Sequence, residues 1–419
     1  MNILKLALRG LARNRRRSLV TLLAIAFGFA AIGLFAGYTH NVYNGLERQS
    51  IHGELLGHLT ISKRGMNSAG KLDPERFLLT AEEIARIRAL LQDEAHIKMI
   101  APRLALSGLA SNGRASTIFI AEGIAPQEME KLQANVLTPE ELRSGIYDQV
   151  IKKLDPAHAD VVEFSSGLLD LLHLKIGGQA ALLTNTLSGQ ANALDVTVGG
   201  SFNTGSAGSN DKFIFMPLAL AQSLLDAGGR ADRLTVLLDD ASHTDAMRAR
   251  LQQKLAAAGF DVEVQTWQEL SGFYRQVHNM FDMIFGFIFS IVLTVVVMSV
   301  ANSMGMTVVE RTREIGTLRA AGLKRGGVVC LFAAESLLLT LLGCAAGLLL
   351  TFGVRYGINL AHISYTPPDA ASAVPLLVDM DYRRTLFTLG LMLAVGMLAA
   401  YLPARRVARQ PIIDALGHV

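Results

Sequence analysis

Cysteine is almost absent from this sequence of 419 residues. The two cysteines that occur, Cys330 and Cys344, both lie in one hydrophobic run, and the long polar region before it has none. Disulfide bonds therefore do not hold that polar region together. Both thiols are best explained as small apolar side chains that pack within a helix.

Motifs for catalysis, metal binding and nucleotide binding are also missing. The glycine-rich stretch 199–208 is not followed by Gly-Lys-Ser/Thr, so it is not a phosphate-binding P-loop. The histidines are scattered, without cysteines or an acidic cluster at metal-ligand spacing. The stretch 165–167 lacks the Gly-x-Ser-x-Gly nucleophile elbow. We therefore expect no catalytic, cofactor-binding or metal-binding residues, and no enzymatic activity in this chain.

Charged residues make up only 18% of the chain, whereas hydrophobic residues make up 51% and the mean hydropathy is +0.34. Soluble domains rarely reach such an average, so a protein with membrane and soluble parts is expected. The net charge is +6 for residues 1–17, +3 for 306–326 and +2 for 404–419, but −6 for 40–276. Basic segments beside hydrophobic runs set the orientation of a membrane protein. Binding of nucleic acid would instead need a basic face on the folded domain.

Four hydrophobic runs are long enough to cross a membrane, for which about 20 apolar residues suffice. The predicted transmembrane helices are 18–39, 277–305, 327–355 and 385–403, the last ended by Pro403. A signal peptide is the competing interpretation of the first run, but the run is too long and no cleavage site follows it. Residues 1–17 are predicted to form a basic amphipathic helix at the inner membrane surface.

The basic segments place the amino terminus, residues 306–326 and the tail 404–419 inside, with 40–276 and the loop 356–384 outside. The fold class is therefore an α-helical membrane protein with four transmembrane helices and a large α/β extracytoplasmic domain between helices 1 and 2.

Region 40–276 has mixed periodicity, with helical stalks predicted at both ends. Strands are predicted at 58–61, 116–121 and 233–238, helices at 80–92 and 244–258, and a loop at 201–210. More than 200 residues can bury a core, and we expect two α/β subdomains.

The most informative stretch is the charged segment 310–325, ERTREIGTLRAAGLKR, between the second and third hydrophobic runs. Its periodicity predicts a short helix with Ile315, Leu318, Ala321 and Gly322 on one face. Such a helix suits docking into a groove of a soluble partner, with apolar anchors inside and charges at the rim. A membrane-surface loop that obeys the charge rule is an equally supported alternative.

Glu335 is the ionisable residue deepest in a predicted span, about two turns into the third run. We expect it to face protein and not lipid. It is either part of a proton relay or, as is more common, one partner of a pair across helices.

This arrangement resembles the MacB/FtsX-type permeases of ABC transporters, the type VII class. The resemblance rests on one anchor, an external domain, three further spans and the motif in 310–322 between the second and third spans. The tail 403–416, PARRVARQPIIDAL, also matches. The stretches 100–104 (IAPRL), 203–205 (NTG) and 216–222 (MPLALAQ) look most similar to the LolC/LolE lipoprotein-releasing branch, which likewise has no fused nucleotide-binding domain.

The resemblance implies that 306–326 is a coupling helix seated in a cleft of a separate ATPase subunit, which binds the ATP and Mg. The residues implied in this contact are Glu310, Arg311, Arg313, Glu314, Ile315, Gly316, Leu318, Arg319, Ala321 and Gly322. Within this set, Ile315, Leu318 and Ala321 would be anchors buried in the partner. The two glycines would allow a close approach of the backbone.

The resemblance also implies a bacterial inner-membrane location with a periplasmic domain. The implied partners are an ATPase dimer, a second copy or a sister permease, membrane lipids, and a periplasmic carrier or outer-membrane partner. No nucleic acid is expected.

Two functions stay open. One is ATP-driven transport, by movements of the periplasmic domain, of a lipoprotein, lipid or amphipathic compound. The alternative is a non-transporting signal transmitter that activates a periplasmic hydrolase or sensor. An anchored external enzyme is disfavoured, because it explains neither the motif in segment 310–325 nor the three further transmembrane helices.

Overall fold

The computed structural model describes residues 15–68, 70, 73–137, 153–206, 208–366 and 373–416. Most of the predicted amphipathic helix at 1–17 lies outside these residues. The chain divides into two compact units, each described by itself below. The membrane unit comprises Met1–Tyr43, Val277–Ser364 and Pro375–Val419, and the ectodomain unit comprises Asn44–Gln276 and Tyr365–Val374.

The described α-helices are α1 (Arg15–Arg48), α2 (Pro74–Phe77), α3 (Ala81–Leu91), α4 (Pro126–Gln133), α5 (Ser166–Leu171), α6 (Leu218–Leu225), α7 (Thr244–Ala257), α8 (Trp267–Leu270), α9 (Gly272–Glu310), α10 (Thr312–Ala320), α11 (Arg325–Leu360), α12 (Tyr382–Ala408) and α13 (Ile412–Leu416). The described strands are β1 (Leu59–Lys63), β2 (Ile97–Ser111), β3 (Ser116–Ile124), β4 (Val161–Ser165), β5 (Gln179–Asn185), β6 (Ala191–Phe202), β7 (Phe213–Pro217), β8 (Arg233–Leu238), β9 (Val262–Thr266), β10 (Ser364–Tyr365) and β11 (Val374–Pro375).

Four helices of the described chain are long and apolar enough to cross a membrane: α1, α9, α11 and α12. All four have more than the roughly 20 residues that a span requires, and α1 and α9 are the two that lead into the ectodomain unit in the sequence. A π-helical turn, Gln49–Gly53, follows α1 directly, and α9 has 39 residues. At 1.5 Å per residue α9 is about 58 Å long, whereas the hydrocarbon core of a bilayer measures about 30 Å. Both helices therefore extend well beyond the hydrophobic stretch that the sequence analysis assigned to the membrane.

Pro403 does not end the fourth long helix, so that expectation is wrong. Helix α12 continues to Ala408 with Pro403 inside it. Proline removes one backbone donor, but membrane helices tolerate it where neighbouring helices restore the lost contacts. Ala404 and Val407, beyond the proline, are buried in the membrane unit, and this packing holds the last turns.

Small residues bring the helices of the membrane unit close together. A Cβ atom on Gly347 of α11 would lie 2.6 Å from the carbonyl oxygen of Ala26 in α1, so only glycine fits there. The hydroxyl of Ser336 in α11 donates a hydrogen bond of 2.7 Å to the carbonyl oxygen of Gly396 in α12. Such close backbone contacts are the usual source of helix association in lipid, where the hydrophobic effect between helices is absent.

The ectodomain unit is built on one nine-stranded sheet, in the order β3-β7-β4-β6-β5-β2-β8-β1-β9. The first half of β2 pairs with β8, and its second half pairs with β3 and β5. Hydrophobic clusters lie at the two ends of this sheet, and a third, which includes Phe215 and Trp267, lies in the same unit. The two subdomains that the sequence analysis expected are not separate, because the 15-residue strand β2 joins both ends into one sheet.

Helix α3 begins where the sequence predicted it. The Thr80 hydroxyl accepts a hydrogen bond from the Glu83 amide, and the Glu83 carboxylate accepts one from the Thr80 amide, at 3.2 and 2.8 Å. This capping box satisfies two amides that a helix start otherwise leaves free. Ile84, Ile87 and Leu91 then face the core, at the helical spacing seen in the sequence.

A buried charge network crosses the middle of the ectodomain sheet. Arg103 of β2 has no exposed surface; its guanidinium contacts the Glu122 carboxylate and donates to the carbonyl oxygen of Leu55. Arg233 contacts the same carboxylate and, at 2.6 Å, that of Asp232. Burial, and then the nearby Arg233, lower the pKa of Arg103, whereas Asp232 raises it. The network ties three strands to the turn that follows the π-helical segment.

Candidate functional site: the segment between the second and third long helices

The charged segment forms a separate short helix. Helix α9 ends at Glu310, Arg311 leaves helical geometry, and α10 follows from Thr312 to Ala320. The Leu323 amide donates to the Leu318 carbonyl at 3.0 Å, and the Gly322 amide donates to the Arg319 carbonyl at 3.1 Å. These two bonds, with Gly322 at a φ of +100°, form a Schellman motif, which stops the helix and turns the chain.

Ion pairs fasten the amino-terminal end of this segment within the membrane unit. The Arg17 guanidinium of α1 binds both carboxylate oxygens of Glu310, at 3.0 and 3.3 Å. Arg311 binds Glu314 at 3.0 Å and Glu335 of α11 at 3.2 Å. Glu335 is only 2% exposed, so its carboxylate forms a buried ion pair across helices.

Ile315 does not point away from the protein, as a partner anchor would. It is 2% exposed and packs in the core of the membrane unit, in the same cluster as Val308, Val328 and Val407. Gly316 beside it is also buried. The expectation that Ile315 inserts into a partner is therefore corrected: its side chain holds α10 against the chain's own long helices.

The tail covers a further part of the segment, which the sequence analysis did not foresee. Helix α13 packs against α10, and Arg319 donates to the carbonyl oxygen of Gln410 just before it. Leu318 is half-buried. The sequence carries a signal for this contact, the tail motif at 403–416, but it does not show which element the tail packs against.

What remains accessible is an outer stripe, which we define as Arg313, Thr317 and Ala321. These three residues are spaced by four and are all exposed, so they lie on one side of α10. Glu314 and Ile413 of α13 are exposed as well, the latter at 84%. A partner that approached this segment would meet the Arg313 cation, the Glu314 carboxylate, small side chains and one apolar side chain from the tail.

The described residues bring one group of side chains within metal-binding distance, which the sequence analysis did not expect. It consists of His96, Asp239 and His243 and lies in the ectodomain unit, away from the charged segment in the sequence.

Two protein-family profiles match this chain, one over its first part and one over its last part. The profile of the MacB-like periplasmic core domain matches residues 18–254, and that of the FtsX-like permease C-terminal region matches residues 286–412. Among curated proteins, the macrolide export ATP-binding/permease protein MacB of Chromobacterium violaceum is 29% identical over 218 residues, 50% of this chain and 31% of that protein. The pyoverdine export ATP-binding/permease protein PvdT of Pseudomonas savastanoi pv. phaseolicola is 27% identical over 212 residues, 49% of this chain and 30% of that protein.

The matched part spans about a third of the length of these relatives. The ABC transporter permease YtrF of Bacillus subtilis is 30% identical over 149 residues, which cover 33% of this chain and 34% of that protein. Among solved structures, the periplasmic region of MacB from Actinobacillus actinomycetemcomitans has a TM-score of 0.34 at 14% identity, and covers 53% of this chain and 92% of that one. A likeness at this level carries no argument of its own.

Proposed function

Because the chain belongs to the MacB/FtsX-type permeases of ABC transporters, we propose that it couples ATP hydrolysis by a separate ATPase subunit to movements of its periplasmic domain. In this proposal the partner binds ATP and Mg²⁺, and this chain supplies the membrane helices and the docking surface. The protein is a membrane protein with a periplasmic domain. The proposed location is the bacterial inner membrane.

The observation that carries the proposal is the way α10 is held. Ion pairs of the two residues before α10 bind them to α1 and α11, Ile315 anchors the helix from inside, and the Schellman motif at Gly322 fixes its exit. A segment fastened in this way cannot move independently of the long helices. A force applied to the outer stripe is therefore transmitted to α9 and α11.

Helix α9 supplies the route for this force. It is one uninterrupted helix from Gly272 to Glu310, and it includes residues of both units. Closure of two ATPase subunits would draw two copies of α10 together, and each α9 would carry the displacement to its periplasmic end as a rigid rod. Transmission by a hinge-like closure needs no continuous pore. Because four helices cannot enclose a wide path, the proposal includes a second permease, either a copy of this chain or a sister subunit.

The docking surface is tested by reversing the charge of the outer stripe. Arg313→Glu should lower the amount of ATPase that co-purifies with the full chain in lipid nanodiscs about tenfold, because rim charges steer and orient a partner.

Gly322→Pro should uncouple ATP hydrolysis from transport, since proline cannot adopt a φ of +100°. Leu318→Asp should act likewise, since it puts a charge at a half-buried position.

Arg114→Glu is the matched control, because it makes the same charge change at an exposed turn of the ectodomain unit. It should leave ATPase binding unchanged. If Arg313→Glu, Gly322→Pro and Leu318→Asp all keep ATPase docking and transport, the coupling role of this segment is wrong.

For the cargo we propose a lipoprotein, a lipid or another amphipathic molecule. An exposed apolar row on the ectodomain sheet supports this class. Leu109 of β2 pairs in register with Ile118 of β3 and Leu183 of β5, and the three side chains are 47%, 61% and 40% exposed. Adjacent exposed aliphatic side chains are an unusual feature of a soluble surface and suit an acyl chain. Withdrawal of each CH₂ from a bilayer costs about 0.8 kcal/mol, so an energy source is needed.

The cargo class is tested by purifying the chain with its ATPase in lipid and identifying the bound molecules by mass spectrometry. We expect acylated molecules, and we expect Leu109→Glu to reduce their amount severalfold while Ser116→Glu, at an exposed polar position of β3, does not. Recovery of a periplasmic hydrolase with no acylated molecule would favour the signalling alternative instead.

A further inference from the structure

We propose that His96, Asp239 and His243 form a binding site for a divalent transition-metal ion of the zinc type. The His96 Nδ1 lies 2.7 Å from Asp239 Oδ2, and the His243 Nδ1 lies 3.0 Å from Asp239 Oδ1. One potential ligand atom from each residue lies within 4.8 Å of the others. This inference is independent of the transport function proposed above.

Two strand ends bring these residues together. Ile97 of β2 is paired with Leu238 of β8, so the residue before β2 and the residue after β8 are neighbours. The Asp239 amide donates to the His96 carbonyl at 3.0 Å and continues the ladder by one bond. The backbone of the sheet therefore fixes the separation of His96 and Asp239.

A short turn adds the third residue. The Asp240 carboxylate accepts a hydrogen bond of 2.7 Å from the Ser242 amide and caps the 3₁₀ turn Ala241–His243. This turn folds His243 back over Asp239, and its ring centroid lies 3.9 Å from that of His96. The two imidazoles, tilted by 35° to one another beside one carboxylate, are thus placed by the backbone of a strand end and a capped turn.

The donor set selects the class of ion. Imidazole nitrogen and carboxylate oxygen are the ligands of Zn²⁺ and its neighbours, whereas Mg²⁺ and Ca²⁺ prefer oxygen alone. Metal–ligand distances of about 2.1 Å put tetrahedral ligand atoms about 3.4 Å apart, which small side-chain rotations reach from the present geometry. The ion would replace the two Nδ1 protons that now bridge to Asp239.

The side chains are between 39% and 43% exposed, so solvent or a partner can supply the remaining ligands. A bound ion would link the residue before β2 to the residue before α7, in addition to the backbone hydrogen bond that joins His96 to Asp239. Ligand binding to the folded state stabilises it by mass action, so the ion should also raise the unfolding midpoint of the ectodomain unit.

The test is equilibrium binding of Zn²⁺ to the full chain in detergent, purified with a tag that contains no histidine. Wild type should bind one ion per chain with an affinity that His96→Ala and His243→Ala each weaken at least tenfold. His158→Ala is the matched control, since His158 also lies 2.7 Å from a carboxylate, that of Asp155, in an exposed pair that belongs to no group of three among the residues that the structure describes. Its affinity should stay within twofold of wild type.

Two further measurements keep the test independent of folding. Co²⁺ bound to wild type should give the visible absorption bands of a nitrogen-ligated ion, and the fluorescence of Trp267 without metal should be the same in all variants. Equal Zn²⁺ binding by wild type and the His96→Ala/His243→Ala double variant would overturn the proposal, as would the absence of binding to wild type.

Discussion

Replacing Arg103 with methionine is expected to lower the free energy of unfolding of the ectodomain unit by about 3–5 kcal/mol. Arg103 is wholly buried, and its guanidinium forms an ion pair with the Glu122 carboxylate and donates a hydrogen bond to the Leu55 carbonyl. Methionine fills part of the space, but it leaves the Leu55 carbonyl without this donor and the Glu122 carboxylate with Arg233 alone, and an unsatisfied buried acceptor is costly. Denaturant titration of the full chain measures the change through Trp267, the only tryptophan, which is 2% exposed in the ectodomain unit.

Arg64→Met provides the comparison. Arg64 pairs with Asp261 at 3.0 Å, but the two side chains are 65% and 83% exposed, so water already competes for the pair. Its loss should change the unfolding free energy by no more than about 0.5 kcal/mol. If the two variants lost equal stability, the burial of the Arg103 network would not be what makes it important.

The long helices were predictable because their signal is local. An apolar run of span length needs no knowledge of its neighbours, and the charges that flank it report orientation. The same holds for the start of α3, where Thr80 and Glu83 make the capping box that their spacing indicates. The end of α12 was not predictable, because whether a helix continues past Pro403 depends on the packing of Ala404 and Val407 against other helices.

The accessible face of the charged segment could not be read from periodicity alone. Periodicity predicts Ile315 and Ala321 on one apolar face, yet Ile315 is buried within the chain and Ala321 is exposed. Periodicity shows which residues share a face, but it does not show whether that face meets the chain's own helices or a partner. The tail, nearly 100 residues further on, decides this by covering part of α10 with α13.

The histidine cluster was missed for a related reason. His96 and Asp239 are 143 positions apart, and only the pairing of β2 with β8 makes them neighbours. Spacing rules detect ligands that lie on one helix or one turn, such as Asp239 and His243. They fail where two strand ends meet, because the strand order of a nine-stranded sheet does not follow from the sequence.

Removing Arg311 should damage the membrane unit as strongly as the loss of Arg103 damages the ectodomain unit. Arg311→Leu leaves the Glu335 carboxylate, 2% exposed between helices, without its cation, and breaking a buried pair costs about 3–5 kcal/mol. The thermal midpoint should fall by about 6–12 °C. A thiol-reactive fluorophore measures it through Cys344, which is buried at 1% exposure, in a Cys330→Ser background.

The double variant Arg311→Leu/Glu335→Leu separates the two causes of this loss. If the unpaired charge is the cause, removing it as well should restore most of the midpoint, because apolar replacements of a buried pair are often neutral. Arg17→Leu is the control: its pair with Glu310 is more than 30% exposed on both sides and should contribute no more than about 1 kcal/mol. A double variant as unstable as Arg311→Leu would show that Arg311 acts through Glu314 or through packing. A stable double variant that no longer couples ATP hydrolysis to transport would instead give the ion pair a role in transmission, since folding and the packing of Ile315 would then be intact while the ion pair to α11 was lost.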